Sequence, residues 1–249
     1  ATGKGGSKGE GNTLSGYDVY VNNRTKHYFD AEFDQTPIAF SENGNGTAIN
    51  YAQFDKNVKR VNMRYGVSYI SVEQAKKNLE KEIKDYNLEN LALTARNEWN
   101  KALGKIDVSG GTEDQKTTFY TALYRSHERM INISEDGKYF SGFDGKVHDD
   151  EGVDFWTDDW IWDNYHALHP LQIILNPADE VEKLTSYIRM YEHSGWMPTF
   201  PCVFGDAHCM NGNHAAAMFA DALAKGLEFD VYKAYEGMRH TVLNETMIP

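Results

Sequence analysis

The stretch RVNMRYGVSYISVEQAKKNLEKEI, residues 60–83, decides the fold class because its hydrophobic period changes in the middle. Before Ser71, polar and apolar residues alternate, which predicts a β-strand with its apolar residues on one face. After Ser71, apolar residues recur every four positions at Ala75, Leu79 and Ile83, which is the spacing of one helical face. The chain therefore changes from sheet to helix at residue 71, and we predict an α+β protein with more than one domain.

Residues 1–70 contain further β signals. Residues 17–21 and 27–33 are rich in aromatic and β-branched residues, and Asn-rich and Gly-rich turns follow them at residues 22–23 and 43–46. Short strands separated by such turns are typical of antiparallel sandwiches. We predict that residues 1–70 form part of an N-terminal antiparallel β-sandwich.

The remainder of the chain has helical patterns. Capping boxes, in which side chains satisfy the first free amides of a helix, begin at Ser71 and Thr112, and the second is predicted to open a helix that extends to about Met130. A break near Tyr86 divides the first helical region in two. We predict linker helices over residues 71–105 and the first part of an (α/α)6 barrel over residues 106–249. Further helices are predicted at residues 159–175, 179–193, 213–226 and 230–239.

Charge and composition exclude some classes of partner. The chain has 249 residues with 25 Lys+Arg and 37 Asp+Glu, so its formal net charge is −12. This charge opposes binding to nucleic acid and to anionic lipid, and it suits a neutral glycan, a cation or simply solubility. No apolar run is long enough to span a membrane, and residues 1–11 lack the apolar region of a signal peptide. The spacing of Cys202 and Cys209 does not match a metal-binding motif. The two cysteines could form a disulfide or remain free thiols.

The stretch FWTDDWIWDNYHALHP, residues 155–170, interleaves rings and carboxylates as a carbohydrate pocket does. From composition alone, the 13% aromatic content favours a Tyr-rich core over sugar binding. Asp159 and Asp163 are four residues apart, so on a continuous helix they would share a face and repel each other. Alternatively, they could bracket a cation or a substrate. Asp158 or Asp159 could instead cap that helix. Asp163 lies in mid-helix after Trp162, where capping fails, and a functional role is predicted for it.

A second stretch forms a long irregular loop that runs from SGWMPTFP, residues 194–201, to GDAHCMNGNH, residues 205–214. Loops on a helical scaffold often hold binding groups. A metal is one alternative for this loop, although its ligand-type residues have no recognised spacing. Asn213 could equally cap the following helix. The ligand-type residues are Asp206, His208, Asn213 and His214.

Four blocks together resemble glycoside hydrolase family 92, a family of α-mannosidases. WDNYHALHPL is similar to the family block W-D-T-Y-R-A-L-H-P-L, with Asn164 in place of Thr and His166 in place of Arg, which leaves fine substrate preference open. The resemblance extends over roughly residues 60–249. The blocks are GTEDQKTTFYTALY (111–124), WDNYHALHPL (162–171), GWMP (195–198) and GNHAA (212–216).

The resemblance implies the sandwich and barrel named above. It also implies calcium-dependent, inverting, exo-acting hydrolysis of α-mannosides such as N-glycans or mannan, in the periplasm, at the outer membrane or outside a bacterial cell. Asp163 falls on a family carboxylate that contacts the terminal mannose. The predicted substrate-binding residues are Trp162, Asp163, Trp196, Asn213 and His214.

Three family blocks do not occur in residues 1–249: E-G-x-A-W-Q-Y with the general acid, H-E-P with sugar contacts, and G-N-D-D with the carboxylates behind the attacking water. We therefore predict no catalytic residue and no metal ligand in this chain, with the calcium ligands mostly elsewhere in the parent enzyme. Two alternatives remain: a mannose-binding module without catalysis, and a structural piece of a helical toroid that self-associates through uncovered helix faces.

Overall fold

The computed structural model describes residues 5–20, 24–42, 50–210 and 212–244. The chain forms two compact units, Ala1–Thr94 and Ala95–Pro249, and each is described by itself. The turns predicted at residues 22–23 and 43–46 lie outside the described residues.

The first unit contains a four-stranded antiparallel sheet with the strand order β1-β2-β3-β6. The predicted strands at residues 27–33 and 60–69 are confirmed as β3 and β6, and the strand predicted at residues 17–21 overlaps the end of β2. The sequence did not predict β1, whose Gly-Ser-Lys composition lacks alternation. The strands are β1 (Gly6–Glu10), β2 (Thr13–Val19), β3 (Lys26–Phe33), β4 (Ala39–Glu42), β5 (Asn50–Gln53) and β6 (Met63–Ser68), with β4 and β5 paired in a separate hairpin.

Helix α1 (Val72–Glu82) packs against β6 and β3. Its predicted cap is present, since the Ser71 side chain accepts a hydrogen bond of 3.1 Å from the Gln74 amide. The buried residues Ala75 and Leu79 lie over Gly66 of β6, and a β-carbon added at Gly66 would come within 2.2 Å of the Ala75 carbonyl oxygen. The glycine therefore permits close contact between strand and helix.

The second unit begins within α2 (Leu88–Leu103), which follows the predicted break near Tyr86. Helix α3 (Glu113–Arg125) starts at the predicted capping box of Thr112, in which both hydrogen bonds are formed. It ends before Met130, because the side chains of Ser126 and His127 contact the Leu123 carbonyl oxygen at 2.7 and 2.9 Å and so satisfy the last turn.

The rest of the second unit alternates short strand pairs with helices. The prediction gave helices 179–193, 213–226 and 230–239, and these are confirmed as α6, α7 and α8 within a few residues. The β8–β9 hairpin was not predicted. The elements are β7 (Ile131–Asn132), β8 (Lys138–Ser141), β9 (Lys146–Asp149), β10 (Trp156–Thr157), α4 (Ile161–Asn164), α5 (Leu168–Leu175), α6 (Pro177–Ser194), β11 (Pro201–Cys202), β12 (Gly205–Asp206), α7 (His214–Ala224) and α8 (Val231–Leu243).

Helix α6 is the centre of the second unit. It contacts α5, α8 and β10, and its residues Leu184, Tyr187 and Met190 are fully buried. Gly195 ends it in a left-handed conformation with φ of 81°, which glycine adopts without strain. Among the described residues, no helix combines the length and the apolar character that a membrane span requires.

We predict that Gly66→Ala lowers the free energy of unfolding of the first unit by about 1–3 kcal/mol, because the added methyl group meets helix backbone. Chemical denaturation followed by circular dichroism measures the change. Gly6→Ala is the matched control in the same sheet, since its β-carbon would lie 3.6 Å from the Tyr17 ring, an ordinary contact. Equal stability of the two variants would contradict the close packing.

Candidate functional site

The predicted single helix over residues 159–175 is wrong. Two helices, α4 and α5, occupy this stretch, and α4 covers only Ile161–Asn164. Pro170 explains the break, because its ring would clash with the His166 carbonyl group in a continuous helix and it has no amide hydrogen to donate. The proline instead occupies the first turn of α5, where helices tolerate it.

The Asp159 carboxylate is fully buried instead of capping a helix, so the predicted capping role is wrong. One of its oxygens accepts hydrogen bonds from His169 Nε2 at 2.9 Å and from the Tyr187 hydroxyl at 2.7 Å. The other accepts a hydrogen bond of 2.6 Å from the Asn164 side chain. Asp159 therefore joins the segment before α4 to both α5 and α6.

His169 completes this buried network. Its Nδ1 atom lies 2.6 Å from Glu180 Oε1, while Nε2 contacts Asp159. Since ionised carboxylates only accept hydrogen bonds, both ring nitrogens must donate, which requires an imidazolium ion. Lys183 lies 3.4 Å from the second Glu180 oxygen, so two carboxylates face two cations.

The pKa values follow from this arrangement. Burial alone would lower the pKa of His169, but Asp159 and Glu180 outweigh burial and raise it to about 10. Burial alone would raise the pKa of Asp159, but His169, Tyr187 and Asn164 hold it below its usual value. Burial beside Asp159 also raises the pKa of Tyr187. The predicted repulsion between Asp159 and Asp163 is therefore wrong. The charge of Asp159 is balanced by His169 inside the core, and Asp163 is exposed to solvent.

The α4 turn carries an exposed group of rings and one carboxylate. Trp160 and Trp162 are each 43% exposed, and Asp163 between Trp162 and Asn164 is also exposed. The Arg129 guanidinium lies 4.4 Å from the centre of the Trp160 ring and forms an ion pair of 3.1 Å with Asp158. Asp158 therefore pairs with Arg129 instead of capping a helix.

His214 is brought to this turn from the start of α7. Its ring stacks on Tyr165 with ring centres 4.4 Å apart and planes 15° apart. The His166 ring meets the same tyrosine edge to face, with ring centres 5.1 Å apart. Asn213 occupies the cap position of α7 but forms no side-chain cap hydrogen bond, so the capping alternative is only half correct.

Trp196 follows the end of α6 and contacts helix α8. The described ring contact of Trp196 is with His240 of α8, at 5.2 Å, and no described contact joins Trp196 to the α4 turn. The structure joins His214 to the α4 turn, and the role of Trp196 stays a prediction.

Asp206 organises its own loop. Its carboxylate accepts hydrogen bonds from the backbone amides of Thr199, Phe200 and His208 at 2.8, 2.9 and 3.1 Å. These bonds occupy the oxygens that a metal would need, which removes the main support for a metal in this loop. Cys202 and Cys209 are free thiols, and burial raises the pKa of Cys202 to about 12.

A group of metal-ligand residues occurs where the sequence did not predict it. Asp144, His148 and His193 each offer a ligand atom, and these atoms lie within 4.8 Å of one another. The pKa of His193 is lowered to about 4, mainly because the ring is buried and secondly because His148 lies next to it. Calcium prefers oxygen ligands, so this group with two imidazoles does not fit the calcium that the family resemblance implies.

A cavity of about 370 Å³ lies in the first unit, between β6 and the α1–α2 connection. Three charged residues line it, Arg60, Arg64 and Asp85, and Arg64 donates hydrogen bonds to Glu32 at 2.5 Å and to the Ile83 carbonyl oxygen at 2.5 Å. Arg60 donates a hydrogen bond of 3.1 Å to Asn62, and Asp85 accepts one of 2.8 Å from the Asn87 amide, so each charged group of this cavity already has a partner.

Comparisons with known proteins identify the class as a carbohydrate hydrolase. The family described as "Glycosyl hydrolase family 92 catalytic domain" matches residues 74–247. The chain belongs to glycosyl hydrolase family 92, and the resemblance found in the sequence is confirmed.

Two solved structures from Bacteroides thetaiotaomicron share the fold. The inverting family 92 mannosidase BT2199 is 30% identical with a TM-score of 0.85, and the chain covers 36% of it. The family 92 α-mannosidase BT3965 is 23% identical with a TM-score of 0.83, and the chain again covers 36% of it. In both comparisons 98% of the present chain is aligned, so its mixture of helices and strands is that of family 92 mannosidases, while the sandwich and barrel remain predictions.

A curated fungal relative supports the same class. An uncharacterized secreted glycosidase of Arthroderma benhamiae is 27% identical over 199 residues, which are 78% of this chain and 21% of that protein. The present chain thus spans about a third or less of the length of these relatives.

We predict that His169→Gln lowers the free energy of unfolding by about 3 kcal/mol near neutral pH, because it leaves buried carboxylates without their cation. The raised pKa of His169 stabilises the fold fully below pH 6.5, and this contribution is lost as the pH rises to about 10. The difference in stability between the wild-type protein and the variant should therefore shrink between neutral pH and pH 10. Urea unfolding at several pH values measures it.

His166→Gln serves as the control, because this histidine is exposed and its loss should change stability by about 0.5 kcal/mol or less. A stability difference between wild type and His169→Gln that stays constant with pH would refute the imidazolium.

Proposed function

We propose that this chain supplies the mannose-contacting surface of an α-mannosidase that releases terminal α-linked mannose from N-glycans or mannans. The observation that supports this most is the exposed carboxylate of Asp163 next to the exposed Trp162 ring, on a turn that the part-buried Asp159–Asn164 hydrogen bond fixes to the core. Family membership and the mannosidase names of the two solved relatives give the sugar class.

The chemistry of this surface suits a neutral sugar. An apolar ring can cover the C–H face of a pyranose, and a carboxylate accepts hydrogen bonds from its hydroxyl groups. We assign substrate contact to Trp162 and Asp163, and to His214, whose ring stacks beside the same turn. Trp196 and Asn213 stay in the proposed site as predictions, although their described contacts do not reach Asp163.

We propose the inverting mechanism and calcium dependence for the whole enzyme. Inversion needs an acid and a base about 6.5–9.5 Å apart with a water molecule between them. Asp163 is proposed to orient the sugar for that reaction, while the acid and the base come from polypeptide beyond these residues. Calcium, when bound, would polarise sugar hydroxyl groups, and most of its ligands are proposed to lie outside this chain.

We further propose an exported enzyme, either periplasmic, outer-membrane-associated or secreted, since the fungal relative is named as secreted. Self-association remains a prediction: α8 exposes Tyr232 at 89% and Tyr235 at 61%, as an uncovered helix face would. Family membership makes an enzyme piece the better interpretation than a lectin or a purely structural fragment.

We predict that Asp163→Asn weakens binding of a methyl α-mannoside about tenfold, because a charged hydrogen-bond acceptor is lost. Trp162→Ala should weaken it about fivefold through lost ring contact. Isothermal titration calorimetry measures both. Asp114→Asn is the matched control, an exposed carboxylate in the first turn of α3 whose loss should leave affinity unchanged.

Wild-type protein that gives no heat with the mannoside, or equal affinity for all three variants, would refute the proposed site. Binding of glucosides as tightly as mannosides would refute the sugar class alone.

We also predict that the chain by itself releases no mannose. The absent acid and base blocks leave the attacking water without activation and the leaving group without a proton. A coupled assay for free mannose, with a complete family 92 enzyme as the positive control, checks this. Mannose release above the buffer rate would place the acid and the base within these residues.

A further inference from the structure

Three side chains from separate parts of the second unit meet at the end of α6. Asp144 lies in the turn between β8 and β9, His148 lies on β9, and His193 lies in the last turn of α6. One ligand atom from each lies within 4.8 Å of the others. We call these three residues the histidine cluster.

We propose that the histidine cluster is a binding site for a divalent transition-metal ion of the zinc class. Two imidazoles and one carboxylate form a ligand set that zinc, cobalt and nickel accept, with water completing the coordination. The set differs from the all-oxygen set that calcium prefers, so the site is separate from the proposed calcium dependence.

The Asp144–His148 pair already has the spacing of two ligands on one ion. His148 Nε2 lies 3.0 and 3.2 Å from the two Asp144 carboxylate oxygens. Two ligands bound tetrahedrally to zinc with bonds of 2.0–2.1 Å stand about 3.3 Å apart. An ion can therefore replace the hydrogen bond between these residues with little movement of either side chain.

His193 contributes the third ligand. Its Nδ1 atom lies 2.9 Å from the hydroxyl of the fully buried Ser141. Metal-binding histidines commonly hold one ring nitrogen by such a hydrogen bond and coordinate the metal through the other. When Nδ1 donates to Ser141, the Nε2 atom of His193 carries the lone pair that a metal requires.

Metal binding requires a change in the stacked arrangement of the His148 and His193 rings. The His148 and His193 rings lie 4.1 Å apart with planes 11° apart. An imidazole coordinates within its ring plane, so two parallel rings cannot share one ion. Binding therefore requires the His193 ring to tilt out of the stack, while Asp144 and His148 keep their spacing.

The cluster is partly exposed, and the Lys146 backbone amide donates a hydrogen bond of 3.1 Å to one oxygen of Asp144, which leaves the other oxygen for an ion. The side chains of Asp144 and His148 are 16% and 28% exposed. Lys146 approaches Asp144 only to 4.0 Å and is 73% exposed, so it is largely hydrated. A bound ion would connect the β8–β9 hairpin to the end of α6, immediately before Gly195, and thereby stabilise the second unit.

The test is a titration of Zn²⁺ into the chain, free of any polyhistidine tag, by isothermal titration calorimetry. We expect one ion per chain, a rise in Tm of about 3 °C or more at saturating Zn²⁺, and no competition from excess Ca²⁺. His193→Gln and Asp144→Asn should each weaken Zn²⁺ binding at least tenfold. Asp144→Asn keeps an acceptor for His148, so it should fold as the wild type does by circular dichroism.

His208→Gln is the matched control, because His208 lies 3.6 Å from a carboxylate, Asp206, but outside any described three-ligand group. Its Zn²⁺ affinity should equal that of the wild type. Co²⁺ added to the wild-type protein gives a second measurement that no variant can confound: intense visible absorption indicates tetrahedral binding. The absence of Zn²⁺ binding, a weak octahedral Co²⁺ spectrum, or unchanged affinity in both cluster variants would overturn the site, and none of these results bears on mannoside binding.

Discussion

The buried ion pair between Asp159 and His169 is the constraint on which the second unit depends. A charge inside a protein is costly unless it is paired and hydrogen-bonded. Asp159 meets this condition only where His169 and Tyr187 come together, and His169 meets it only beside Glu180 as well. The segment before α4, helix α5 and helix α6 therefore cannot shift independently, because each shift would leave a buried charge without its partner.

The same constraint produces the exposed carboxylate. Asp159 turns inward and accepts a hydrogen bond of 2.6 Å from Asn164, and Ile161 of the same turn is fully buried, so one side of α4 is fixed in the core. Trp162 and Asp163 lie on that turn and are exposed as a consequence. Two acidic residues four positions apart thus serve different purposes, one as an internal anchor and one on the surface. A turn that is already held in one conformation is suited to binding, because ligand binding then costs little conformational entropy.

The sequence predicted those features that depend on local pattern. The change of period at Ser71, the capping box at Thr112 and helices α6 to α8 are properties of neighbouring residues, and the structure confirms them. The prediction of one helix over residues 159–175 was wrong, because it followed the spacing of the aromatic residues and did not take Pro170 into account. The pairing of Asp159 with His169 and the contact of His148 with His193 join residues 10 and 45 positions apart, and no local spacing encodes such contacts. Family resemblance led to the prediction of Asp163 as a sugar contact but did not predict the buried network beside it.

The histidines of this unit show how partners decide what one side chain can do. His169 has carboxylates on both ring nitrogens, so it must remain an imidazolium and has no lone pair for a metal. His193 has a hydroxyl group on one nitrogen and a neighbouring ring instead of a second acceptor. Its other nitrogen can hold a lone pair, which makes it a ligand and not an internal cation. The proposal of a metal at the end of α6 thus follows from the same rule of charge and hydrogen-bond satisfaction that explains the core beneath the α4 turn.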